Sequence, residues 1–113
     1  MSTRSTIALE FADNTVGQVY CHWDGYLSNN GKILLNHYMD PFKVRELIDL
    51  GDVSSLAPEI GQKHNFDGRD HTEWCMFYGR DRGDEGAEAR YYKDFADYEK
   101  NHECQEFEYI LRT

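Results

Sequence analysis

Residues 5–23 read STIALEFADNTVGQVYCHW, and this stretch decides the fold class. Ser5 to Phe11 alternates, with Ile7, Leu9 and Phe11 on one face. Ala12-Asp13-Asn14-Thr15 is turn chemistry, and Val16 to Trp23 is again rich in strand formers. Two such runs around a short polar turn predict an antiparallel hairpin. Asp24-Gly25 ends the second strand, because glycine tolerates backbone angles that other residues avoid.

Outward from the hairpin the periodicity changes. Ser28-Asn29-Asn30-Gly31 offers loop and cap chemistry before a short helix, Lys32 to Tyr38, with Ile33, Leu34, His37 and Tyr38 at helical spacing. Asp40 then supplies an N-cap and Pro41 a first helical position. That helix runs to Leu50 on a stripe of Val44, Leu47 and Ile48, and Gly51 closes it. Residues 52–71 read as loop. Thr72 to Tyr78 (TEWCMFY) predicts a strand, Gly79 to Gly86 a charged mobile connection, and Ala87 to Tyr92 its hairpin partner. Asp94 to Asn101 fits one or two helical turns. Gln105 to Leu111 alternates Phe107, Tyr109 and Leu111 against Glu106 and Glu108, a last strand with one wet face. Strands in runs with helices segregated between them predict an α+β fold with a largely antiparallel sheet, in the order ββαα-ββ(α)β, as one domain over residues 1–113.

Composition narrows the function classes. A chain of 113 residues is ordinary for one domain and short for two. Its 14% of aromatic residues argues for a folded core against disorder. The formal net charge of −9 is the wrong sign for displacing counterions from a phosphate backbone, so neither nucleic acid nor an anionic membrane is an expected partner. No window is apolar enough to span a bilayer. Cys21, Cys75 and Cys104 are scattered without metal spacing, which predicts reduced thiols in a cytoplasm, two or three of them buried.

Two constellations could carry chemistry. The first is Val19 to Tyr26, where His22, Trp23, Asp24 and Tyr26 gather at a strand end. Trp23 and Tyr26 could stack a flat ligand and Asp24 accept from its edge, with Arg4 brought alongside by the hairpin to hold an anion. The competing reading makes Trp23 a core anchor and Asp24-Gly25 a plain turn. The second is a set of acids, Asp81, Asp84 and Glu85 in the charged connection and Glu88 just after it, with Glu106 and Glu108 on the last strand. They would face a basic partner surface. His64 to His71 holds two His and two Asp, but its spacing matches no strong metal pattern and reads as a polar loop. No cofactor is expected. Cys21 and His22 point to opposite faces of a strand, and no hydrolase, P-loop or dinucleotide motif is present, so no catalytic residue is assigned.

Thr6-Ile-Ala-Leu9, Gln18 to Leu27, Gly31 to Leu35, His37-Tyr38 and Gly51 to Leu56 resemble small, functionally uncharacterised proteins of bacteriophages and mobile elements, over the first half of the chain. The resemblance implies a genomic setting and no site residues. It points to a non-enzymatic inhibitor acting in the host cell cytoplasm by stoichiometric contact with a host or defence protein bearing a basic surface. A small-ligand binder, holding a nucleotide signal with Arg4, His22, Trp23, Asp24 and Tyr26, is the second expectation. A structural subunit whose edge strand pairs with itself in a homodimer is the third.

Overall fold

The computed structural model describes residues 3–66 and 73–112. Among them run β1 (Ser5–Glu10), β2 (Val16–Cys21), α1 (Lys32–His37), α2 (Pro41–Leu50), β3 (Val53–Ser55), β4 (Met76–Phe77), α3 (Tyr78–Arg82), β5 (Arg90–Tyr92), α4 (Phe95–Asn101) and β6 (Phe107–Leu111). The expected α+β class is found, built on one six-stranded mixed sheet in the order β4-β3-β2-β1-β6, with β5 also on β2.

The hairpin forms as the sequence predicts, with Ser5 opposite Cys21 and Glu10 opposite Val16. Its turn closes where the Phe11 amide donates to the Thr15 carbonyl at 2.8 Å. Asn14 takes a left-handed backbone (φ 75°), which its short polar side chain tolerates, and the Asp13 carboxylate accepts from the Thr15 amide. β1 pairs on its other side with β6, in parallel, Ser5 beside Phe107 and Leu9 beside Leu111.

The far edge of β2 is divided between two short strands. Antiparallel β5 covers Val16 to Gln18, and parallel β3 meets β2 at Cys21. Between them the Tyr20 amide has no strand to donate to, and the Asp52 carboxylate accepts it at 2.9 Å. Asp52 also donates its own amide to Ala87, accepts from the Tyr78 amide at its carbonyl, and pairs with Arg90 at 3.2 Å.

Helix α2 packs the main core. Asp40 Oδ1 accepts the Phe42 amide, Pro41 fills the first turn, and buried Val44, Leu47 and Ile48 meet Ile7, Leu9, Val19 and Cys21 of the sheet. Gly51 ends the helix at φ 88°, and a Cβ there would stand 2.2 Å from the Ala87 carbonyl oxygen, so only glycine lets the chain enter β3 beside that segment. The opposite face of the sheet carries a smaller core of Ala8, Val16 and Tyr98, flanked by Tyr92 and Phe95. α4 starts with Asp94 accepting the Asp97 amide.

Four expectations for the second half are corrected. The loop predicted over 52–71 contains β3, and a single bridge joins Glu59 to Trp74. The strand predicted over 72–78 keeps only Met76–Phe77 as β4, and Thr72 lies outside the described residues. The predicted loop over 79–86 opens as helix α3, because Asp81 reaches back one turn to accept the Phe77 amide at 2.8 Å. β5 pairs with β2 and not with β4, so these two strands do not form a hairpin. Cys21 and Cys75 are buried, Cys104 is exposed, and all three thiols are free.

If Asp52 completes the β2 edge, its acceptor atom matters more than its charge. Asp52→Ala should cost about 1–3 kcal/mol by stranding the Tyr20 amide, while Asp52→Asn should recover most of that. Urea unfolding that finds the two variants equally damaged would contradict this role.

Candidate functional site

The densest stretch of the sequence proves to be a built turn. Beyond β2 the His22 and Trp23 amides donate to Val53 and Ser54 carbonyls. Asp24 turns the chain with φ 55°, and its carbonyl accepts the Asn30 amide and the Asn29 side chain. A wide π-type turn, Leu27–Gly31, then runs into α1. Buried Asn30 holds this corner from within, its Nδ2 donating to Ser5 Oγ at 3.2 Å and to Cys21 Sγ at 3.3 Å. The Tyr109 hydroxyl donates to the Gly25 carbonyl at 2.7 Å. Burial pushes the Cys21 thiol up to about 11, so it is a neutral packing group rather than a nucleophile.

The expected ligand residues are only partly brought together. Arg4 does lie alongside, since the Gly25 amide donates to the Thr3 carbonyl. Tyr20 Oη and His22 Nδ1 are hydrogen bonded at 2.7 Å, and the His22 ring meets Trp23 edge-on. Trp23 is 43% exposed, which corrects the core-anchor reading, and Tyr26 is exposed too. Arg4 lines a polar groove of about 260 Å³ with Thr6, Gln18, Tyr20, Asp52, Arg90, Glu103 and Gln105; His22, Trp23, Asp24 and Tyr26 do not line it. Within that groove Gln18 is engaged by the Tyr92 hydroxyl and the Glu103 carbonyl. Among the described residues the buried Thr6 hydroxyl makes no hydrogen bond of standard geometry, although the Tyr98 phenol lies close enough to interact with it.

The acidic set divides. The Asp81 side chain is fully buried, which corrects its expected place on a contact surface. It bonds Arg80 at 3.0 Å and the amides of His64 and Phe77. Burial alone would push its carboxyl up, but the Arg80 guanidinium and the two amides outweigh that and hold it below the usual range. Asp84 is gripped by Arg82 through two bonds of 2.8 and 2.6 Å, and Glu108 pairs with His102 at 2.7 Å. Glu85, Glu88 and Glu106 are exposed. His64 belongs to the Asp81 cluster and stacks edge-on against Trp74, whereas Asp67, Asp70 and His71 lie outside the described residues.

One surface was not singled out from the sequence. Among the described residues β6 is an edge strand. The Phe107 amide donates to the Arg4 carbonyl, so in this parallel pair Phe107, Tyr109 and Leu111 turn their peptide groups to β1. The peptide groups of Glu108 and Ile110 therefore face outward. Beside this edge lies an apolar groove of about 430 Å³, walled by Leu34, Leu35, Tyr38 and Met39 from the α1 side and by Tyr109 and Ile110 from β6. Leu35, Met39, Phe42 and Ile110 are exposed. The signal available was the pair Leu35 and Met39, four residues apart and off the inward stripe.

Compared with protein-family models, curated proteins and solved structures, the chain matches none.

The Asp81 cluster carries a pH signature. A carboxyl held low in the folded chain contributes stability that is complete above its ordinary value of about 3.9. The contribution is lost as pH falls through the lower folded value. Asp81→Asn should cost about 3–5 kcal/mol near neutrality, because Arg80 is left without its buried partner. It should also flatten the acid limb of stability below about pH 4. Thermal melts across that range that leave the slope unchanged would refute this account.

Proposed function

We propose that this chain is a non-enzymatic binding protein that takes an extended segment of a partner along the outer edge of β6. The observation that carries this reading is the coincidence of outward peptide groups at Glu108 and Ile110 with the apolar groove of Leu35 and Met39. Main-chain bonds to an open edge supply affinity, and pockets for alternate side chains supply selection. Glu106 just before the strand and Glu108 on it, with the net charge of −9, favour a segment that alternates apolar with basic residues. The same charges weigh against a second copy of the chain as occupant, because like charges would face one another across the new pair. Taken with the resemblance of the first half to phage and mobile-element proteins, this supports a stoichiometric inhibitor of a host or defence component, acting in the cytoplasm. Opposite charge would speed association and make it salt-sensitive. Glu85 and Glu88 extend the acidic surface, and Asp84 contributes only what Arg82 leaves.

A second reading keeps the polar groove as a small-anion site. It is favoured by the Thr6 hydroxyl buried there without a hydrogen bond of standard geometry and by Arg4, which has no ion-pair partner among the described residues. His22 would act through Tyr20, with Trp23, Asp24 and Tyr26 at its margin.

The two readings part on one pair of titrations. A synthetic peptide alternating lysine and valine should shift the amide resonances of Glu108 and Ile110, with binding that weakens as salt rises. Ile110→Pro removes an outward donor without touching the β1 ladder, so it should abolish those shifts in a folded protein. Shifts that survive Ile110→Pro, or none in the wild type, would refute strand addition. A nucleoside diphosphate whose binding is lost in Arg4→Ala would support the groove instead.

A further inference from the structure

Where α4 gives way to β6, three side chains of different chemistry converge. His102 caps α4, Cys104 lies in the connection, and Glu108 is the second residue of β6. One donor atom from each lies within 4.8 Å of the others. His102 Nε2 is 2.7 Å from Glu108 Oε1, and Cys104 Sγ is 3.7 Å from His102 Nε2. From this geometry we infer a zinc-binding site formed by His102, Cys104 and Glu108, with solvent completing the coordination.

The donor set is one that zinc takes. A thiolate, an imidazole and a carboxylate are its three protein ligand types, at about 2.3, 2.0–2.1 and 2.0–2.2 Å in tetrahedral arrangement. Those lengths require a sulfur–nitrogen separation of about 3.6 Å and a nitrogen–oxygen separation of about 3.3 Å. The first is met as the chain stands. The second needs Glu108 to withdraw by about 0.6 Å, a small rotation for a side chain that is one-third exposed.

The imidazole is already aimed. Its Nδ1 meets the Tyr98 carbonyl, which can only accept, so Nδ1 carries the proton and Nε2 is turned to the site. The ring also stacks on buried Tyr98, with centroids 4.1 Å apart and planes inclined by 12°. A backbone carbonyl on the remote nitrogen is the support that orients zinc-bound histidines. Binding of a divalent ion releases the thiol proton and the proton of the Nε2–Glu108 hydrogen bond to solvent, leaving a thiolate, a neutral imidazole and a carboxylate around one dication. The site ties the end of α4 to β6 and stands whether or not β6 takes a partner.

Zinc titrated into the untagged, reduced, full-length chain against a chromophoric chelator should bind at one equivalent. Cobalt in its place should show tetrahedral bands with thiolate charge transfer. Cys104→Ser and His102→Ala, each confirmed as folded by circular dichroism, should weaken zinc by more than the roughly 10–100-fold that loss of a supporting group costs. Zinc should raise the melting temperature of the wild type, reversibly with chelator, and leave Cys104→Ser unmoved. No binding by the wild type, wild-type affinity in Cys104→Ser, or a cobalt spectrum without a thiolate band would each overturn the assignment.

Discussion

The Asp52 carboxylate stands where a strand should be, and the architecture depends on that substitution. β2 is bonded along one edge by β1, but its other edge is shared end to end by β5 and β3. The gap between these two partners spans Val19 and Tyr20 and leaves the Tyr20 amide facing no strand, and a buried amide without an acceptor is costly. Asp52 fills the gap with its side chain while its own backbone bonds Ala87 and Tyr78, so one residue joins the end of α2, the start of β3, the start of α3 and the approach to β5. The segment between β3 and β5 hangs from this point.

That segment is held at its other end by a second polar cluster. Asp81 gathers Arg80 and the amides of Phe77 and His64, while Arg80 reaches the carbonyls of Ile60 and Cys75. The second half therefore adds paired charges and captured backbone groups to the apolar residues it gives the core, Ile60, Cys75 and Phe77, which join Ile7, Leu9, Val19 and the α2 stripe. Charge is spent internally in this half. Of the acids there, Asp81 is structural and Asp84 is neutralised locally, so the surface field comes from fewer residues than their number implies.

What could be read in advance was local. The β1–β2 hairpin announces itself through alternation and turn residues, and α2 through Asp40, Pro41 and Gly51, because those signals act within a few residues of one another. β3 and β4, at three and two residues, are too short for any period to register. The partner of β5 was mistaken because a pairing between distant segments leaves no trace in spacing. Asp81 looked like one more exposed acid in a charged run, and only Arg80 and the amides around it make burial tolerable. Of the polar groove, Arg4 is legible in the sequence and Asp52, Gln18 and Arg90 are not, since sheet order alone assembles them. His102, Cys104 and Glu108 are close in sequence, yet their convergence needs the reversal between α4 and β6.

The parallel pairing of β6 with β1 has a consequence for biosynthesis. The two strands come from opposite ends of the sequence, so their contact has about the longest loop closure the domain can require, and such topologies fold slowly. As the chain emerges from the ribosome, the hairpin and α2 can assemble early, but the outer edge of β1 stays open until β6 has been made. During that interval a nascent chain presents an unpaired strand edge beside Ile7 and Leu9, the kind of surface that recruits chaperones or a wrong partner.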